Sequence, residues 1–203
     1  GPGSYAVTLT VRNSRGDVAS MTSTVRLVIP TAATGSVTWA GGAENGLHWA
    51  YRDNWAGRQS PANPTEGTVT FSDAGVATDG STTNIADPTA YFGGLTTWTV
   101  GGVQFNNLFA GGHRTRVADG TALIIAGDLY AWDNVGYWLA SVAGLTAGFI
   151  GGNLQIGTPS RRADIRVATP PDNWAGVSGV LRISTASLTP WLREVRLGDH
   201  FRR

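Results

Sequence analysis

The pentapeptide Asp-Asn-Trp-Ala-Gly occurs twice, at residues 53–57 and 172–176. Both copies sit among short β-branched runs broken by Gly, Asn and Asp. A turn motif that returns in such surroundings marks an extended β architecture built by repetition. Apolar runs recur at 68–71, 98–100, 103–105, 123–125, 154–156, 165–167, 180–183 and 195–197. No segment sustains a 3.6-residue period; the best helical candidate, residues 137–146, is short and contains Gly144. The expected fold class is therefore all-β. A parallel β-solenoid fits best, with a β-sandwich as the alternative, because strand length and turn spacing suit both.

Composition limits the chemistry. The chain has 203 residues, enough for one large all-β domain or two small ones. Its 28 Gly and abundant Thr and Val suit tight turns joining short strands. All 15 basic residues are Arg. Without Lys there is no isopeptide crosslink, no Schiff base and no lysine-bearing phosphate loop. Without Cys there is no disulfide, zinc-thiolate site or thiol nucleophile. A net charge of +1 gives no field that would attract nucleic acid or an anionic membrane. No apolar run approaches the ~18 residues of a membrane span.

The chain divides into four stretches. Residues 1–4, Gly-Pro-Gly-Ser, read as the scar of a cleaved tag, so that a longer parent chain is expected. Residues 5–30 read as a hairpin. Val7, Leu9 and Val11 alternate with Thr8, Thr10 and Arg12, residues 13–17 turn, residues 23–29 return, and Pro30 stops the ladder. This pattern, Tyr-x-Val-x-Leu-x-Val with an Asn-bearing turn, resembles the last two strands of PKD-type immunoglobulin-like domains. Such a hairpin is marginal alone, so it is expected to pack on the following segment or to pair with a second copy. That makes a homo-oligomer through the hairpin an expectation.

Residues 31–84 carry Trp39, Gly41-Gly42, Trp49, Asp53-Asn54-Trp55, Gly57, Pro61 and Pro64 before the run Thr68-Val69-Thr70-Phe71. The segment resembles the entry region of autotransporter-type bacterial surface β-helix proteins. The resemblance implies a right-handed β-solenoid at a cell surface or outside the cell, with adhesion or structural display as its role. Residues 85–203 form the solenoid proper in this reading. At ~20–25 residues per coil they make about five coils.

The eight Trp are the strongest side-chain signal. Trp39, Trp49 and Trp55 are expected to plug the first coil. Trp132, Trp138, Trp174 and Trp191, in Gly- or Asp-rich contexts, are candidates for stacking on a sugar, though burial explains them too. In each pentapeptide the Asp or Asn is expected to bond its own backbone in an Asx-turn, Trp to anchor it, and Gly to accept positive φ. That assigns a structural turn to Asp53, Asn54, Trp55 and Gly57, and to Asp172, Asn173, Trp174 and Gly176. Neither copy lies in the oxygen-rich spacing that calcium requires.

Catalytic constellations are missing. His48, His113 and His200 have no partner at ligand spacing, and no nucleophile elbow or phosphate loop occurs. Parallel β-helices do host polysaccharide lyases and hydrolases, so the charged cluster around Arg162, Asp164 and Arg166 is the one enzymatic candidate. On one strand their period of two places all three outward, as a plain exposed ladder or as a site for a sugar acid. The expected role is thus a non-enzymatic scaffold with no cofactor or metal. Its partners are glycans or other surface proteins, not nucleic acid and not a membrane interior. The alternative is a carbohydrate-binding or polysaccharide-processing β-helix. Arg15-Gly16-Asp17, the integrin-binding tripeptide, sits in a turn whose composition needs no ligand to explain it.

Overall fold

The computed structural model describes residues 3–27, 32–42, 47–75, 83–89, 94–106, 113–131, 147–167 and 181–197. The chain forms two compact units, residues 1–31 and 32–203. The first unit is an antiparallel ribbon of β1 (Gly3–Arg12) and β2 (Val18–Leu27). Its turn is set by Asn13, whose Oδ1 accepts the N–H groups of Arg15 at 2.9 Å and Asp17 at 3.0 Å. Gly16 there takes φ 90°, a conformation that glycine adopts without steric cost. Leu9 faces Met21 and Val11 faces Ala19 on one side of the ribbon, while the hydroxyls of Thr8 and Thr22 meet at 2.7 Å on the other. Leu9 is 61% and Met21 69% exposed.

The second unit is a β-solenoid. Its strands are β3 (Val37–Thr38), β4 (Thr68–Phe71), β5 (Thr83–Ala86), β6 (Thr97–Val100), β7 (Gly102–Phe105), β8 (Arg114–Ile125), β9 (Leu129–Ala131), β10 (Ala147–Ile156), β11 (Ala163–Val167), β12 (Leu181–Pro190) and β13 (Leu192–Leu197). All of them pair in parallel. One sheet runs β3-β4-β7-β9-β11-β13. The other runs β12-β10-β8, with β5 and β6 lying end to end against β8. From β6 onward the chain visits the two sheets alternately, which is the winding of a solenoid.

The coils are longer than the sequence reading expected. Ile85, Arg116, Ile150 and Ser184 stack in register, so three turns take 31, 34 and 34 residues. The expectation of about five coils of 20–25 residues after residue 85 is thereby corrected. The extra length lies in one place. Between a strand of the six-stranded sheet and the next strand of the other sheet, 8 to 15 residues intervene from Phe71 onward. Parallel pairing also extends back to Val37 opposite Val69, so the Trp-rich segment is itself wound into the solenoid.

Alternation builds the interior. In β4 Val69 and Phe71 are buried, in β6 Trp98 and Val100, and in β8 Leu123 and Ile125. Because partners are in register, like stacks on like. Phe71 lies over its register partner Phe105 with ring centroids 5.3 Å apart and planes 18° apart, and across the interior Phe105 meets Phe149 of the other sheet edge-on at 5.6 Å. One corner is made by glycines. A Cβ on Gly67 would stand 2.0 Å from the Gly35 carbonyl oxygen, on Gly101 1.9 Å from that of Glu66, and on Gly127 2.3 Å from that of Gly101. Backbone presses on backbone there, coil after coil.

The first coil is plugged by Trp39, Trp49 and Trp55, all at most 1% exposed. Trp55 meets Trp39 edge-to-face at 5.0 Å and Trp49 at 5.8 Å. The same region closes the edges of the second sheet. Trp49 N–H donates to Ile85 O and Ile85 N–H to Leu47 O, each at 2.8 Å, along β5. Along β6 the side chain of Asn63 stands in for a strand: its Nδ2 donates to Thr97 O at 2.7 Å and its Oδ1 accepts Thr99 N–H at 2.9 Å.

Candidate functional site

The first pentapeptide is built into a tight turn. Residues Arg52–Asn54 and Ala56–Arg58 form two short 3₁₀ turns around Trp55. Asn54 is fully buried and reaches away from its own turn: its Nδ2 donates to His48 O at 2.9 Å. Its backbone carbonyl accepts the N–H groups of Ala40 at 2.6 Å and Gly41 at 3.1 Å. The Asp53 carboxylate faces outward and is taken by Arg58 Nε at 2.7 Å. The anchoring role of Trp55 is as expected, with Nε1 donating to Trp49 O at 2.7 Å, and Gly57 takes φ 71°. The second copy, Asp172, Asn173, Trp174 and Gly176, lies outside the described residues, as do Trp132, Trp138 and the helical candidate 137–146.

The charged cluster sits on the outer face of the six-stranded sheet, near its last coils. Asp164 and Arg166 share that face on β11, but the expected exposed Arg–Asp–Arg ladder is not what forms. Asp164 is 1% exposed. A bulge between Ala163 and Asp164 lets Arg193 of β13 swing over the carboxylate, which accepts Arg193 Nε at 2.8 Å and a second bond from the same guanidinium. Arg166 adds a third donor at 3.3 Å. Arg162 precedes the strand, is exposed, and points its guanidinium at Leu192 O at 3.4 Å.

Two residues that the sequence reading passed over complete the cluster from the coil below. Asp128 Oδ1 accepts the Asp164 N–H at 2.8 Å, and its Oδ2 accepts the Tyr130 hydroxyl at 3.1 Å. The Arg166 guanidinium lies over the Tyr130 ring, 5.5 Å from its centroid. The bond from Arg193 holds the Asp164 carboxyl below the usual aspartate range, against its burial. Burial, and then the bond to Asp128, raise the Tyr130 phenol. At neutral pH Asp164 is therefore a carboxylate and Tyr130 a neutral phenol. The cluster's acceptors are occupied by its own donors, an arrangement suited to latching coils together rather than to proton transfer.

Above Asp128 and Asp164 no signal in the linear sequence announces the pairing. The two residues are 36 apart and coil lengths vary from 26 to 36 along this sheet, so register cannot be counted forward.

The interior holds polar groups as well. Asn84 and Thr115, on adjacent strands, are both fully buried. Asn84 Oδ1 accepts Trp49 Nε1 at 2.7 Å and the Thr115 hydroxyl at 2.8 Å. His113 is buried against Phe71 and its Nε2 bonds Ser72 O at 2.8 Å. Burial lowers its pKa, outweighing that bond and the charge of Asp73. The imidazole is thus held neutral, with Nε2 carrying the proton. Trp191, the described member of the sugar-stacking candidates, is half-buried; its N–H donates to Ile156 O at 2.7 Å and its carbonyl accepts Ala163 N–H at 2.9 Å.

No family model, no curated protein and no solved structure matches this chain significantly.

Proposed function

We propose that this protein is a non-enzymatic extracellular or cell-surface scaffold for adhesion or structural display, in keeping with the resemblance of residues 31–84 to bacterial surface β-helix proteins. One observation carries the reading. The only dense charged cluster among the described residues is spent internally: Asp164 is bound by Arg193 and Arg166, and Asp128 by Tyr130 and the Asp164 backbone. A polysaccharide-processing β-helix needs carboxylates that face substrate. A scaffold needs its coils tied together, and this cluster ties three of them.

Glycans or other surface proteins are the partners this role calls for. The apolar ribbon face with Leu9 and Met21 is one place for them, or for the same ribbon of a second copy. The test is direct. The purified protein is incubated with neutral and uronate-rich polysaccharides while reducing ends and unsaturated products are followed, and it is probed on a glycan array. No turnover is expected. Turnover that disappears in Asp164→Asn would overturn the reading in favour of polysaccharide processing. Protease shaving of intact cells carrying the parent gene tests location: the scaffold reading requires that the protein be removed from the outside.

A further inference from the structure

The outer face of the sheet that contains β8, β10 and β12 carries charge of nearly one sign. Thr115, Val117 and Phe149 are buried and Ile183 packs on the core, so alternation turns Arg114, Arg116 and Arg182 outward. Register places Gly148 of β10 between Arg114 of β8 and Arg182 of β12. The two arginines thus stand two strand spacings apart, about 9–10 Å, with no side chain between them. Arg182 is exposed; Arg114 is half-buried, and its Nε is buried without a hydrogen-bond partner. Neither forms an ion pair among the described residues. Arg116 stands at a rim. Residues 118–121 of β8 oppose Gly152 alone of β10, a bulge whose Asp119 lies 3.4 Å from Arg116 Nη2. That pair is exposed on both sides, and Asp119 is the one carboxylate on the five strands of this sheet. Further along the same face the outward residues are amides and hydroxyls: Thr97, Asn153 and Ser187, then Thr99 and Gln155.

We propose that this face binds an acidic polysaccharide, with Arg114 and Arg182 closing on one carboxylate or sulfate group across Gly148 and Arg116 meeting the next. The proposal rests on the reading of the protein as a scaffold whose partners are glycans, and it names their chemical class. A guanidinium presents paired donors in a plane that matches an oxyanion, and here two of them lack any counter-charge of their own. The neighbouring amides and hydroxyls suit the hydroxyl groups of a sugar chain lying along the face. Other polyanions fit less well. Single-stranded nucleic acid needs aromatic platforms for its bases, and the one aromatic of β5, β6 and β8, Trp98, is fully buried. Duplex DNA needs many phosphate contacts, where this face offers three arginines and the whole chain a net charge of +1. An acidic peptide would want a free strand edge or pockets, and β8 and β10 are paired on both sides.

The experiment is affinity electrophoresis of the full chain at about 0.15 M ionic strength, with three polymers in the gel. Polygalacturonate carries carboxylates, dextran sulfate carries sulfates, and dextran carries neither. Retardation by one or both acidic polymers and none by dextran is expected, and the polymer that retards identifies the anionic group. Arg114→Gln and Arg182→Gln should each weaken that binding about 10-fold, the worth of one hydrogen bond to a charged group. Arg116→Gln should cost less, because Asp119 competes for Arg116. Arg12→Gln, on the ribbon, should change nothing. Arg182 is exposed, so its variant should melt with the parent protein and carries the test even if Arg114→Gln does not fold. The proposal is overturned by equal retardation in dextran, by none in either acidic polymer, or by an equal loss in Arg12→Gln. An oligonucleotide bound as tightly as the acidic polymer overturns it too. Failure here and failure of the scaffold reading are separable. Binding to dextran alone removes the arginine site and leaves a glycan-binding scaffold, whereas release of reducing ends from polygalacturonate removes the scaffold reading and leaves the site.

Discussion

The guanidinium of Arg193, on the last coil, holds the carboxylate of Asp164, on the coil before it, with Nε at 2.8 Å from Oδ1. The bond keeps Asp164 ionised at pH values where an ordinary aspartate is already taking up a proton. Its folded-state pKa lies below its unfolded one. The stabilisation is therefore complete above the unfolded value and is lost as pH falls through the folded one. Thermal melts from neutral to strongly acid pH should show an acid limb that is flatter in Asp164→Asn than in the parent protein. Equal slopes would mean that Asp164 titrates alike in both states.

His113 sets a second pH window, nearer neutrality. Burial lowers its pKa from 6.5, so the unfolded chain binds a proton before the folded chain does. Stability should then fall as pH drops from about 7 to 5. His113→Gln keeps a donor for the Ser72 carbonyl and cannot titrate. Its stability should be flatter over that range, as read by the difference between the two denaturation profiles. A parent profile that is already flat there sinks the assignment.

Trp55 is buried among Trp39, Trp49 and Phe71. Trp55→Ala should cost about 3–5 kcal/mol, the usual range for large aromatics in cores. In a chain of this size that lowers Tm by on the order of 10 °C. Trp39→Ala should behave alike. An unchanged Tm for Trp55→Ala would show that the plug is not part of the folding core.

The glycine corner makes a separate prediction. A methyl at Gly101 would press into the Glu66 carbonyl, 1.9 Å away. Backbone cannot move aside there without breaking the adjoining bond from Gly101 N–H to Gly67 O at 2.9 Å. Gly101→Ala should destabilise by about 1–3 kcal/mol or more, the range for overpacked sites. Gly120→Ala provides the comparison: nothing lies within 4 Å of its Cβ position, so only the backbone conformation at φ 74° is strained. If both variants melt alike, close coil contact at the corner is not what demands glycine.

Much of the fold was readable residue by residue. Alternation located β1, and short apolar runs broken by Gly, Asn and Asp marked β4, β6, β7 and β11, because a strand that lines a core must bring apolar side chains to it. Clustered Trp before the first regular run announced the plug, since indoles of this size rarely stay in water. Coil length was not readable. It depends on the connections from Phe71, Phe105, Ala131 and Val167, whose lengths differ from coil to coil and leave no constant period to count. The cluster at Asp164 was half legible. Spacing placed Asp164 and Arg166 on one face. Burial of the carboxylate, its rescue by Arg193 and its support from Asp128 depend on a bulge and on register between coils. The sequence by itself determined which residues face in and that the strands must repeat. Only the tertiary structure decided which residues meet across coils, because parallel stacking joins positions some thirty residues apart.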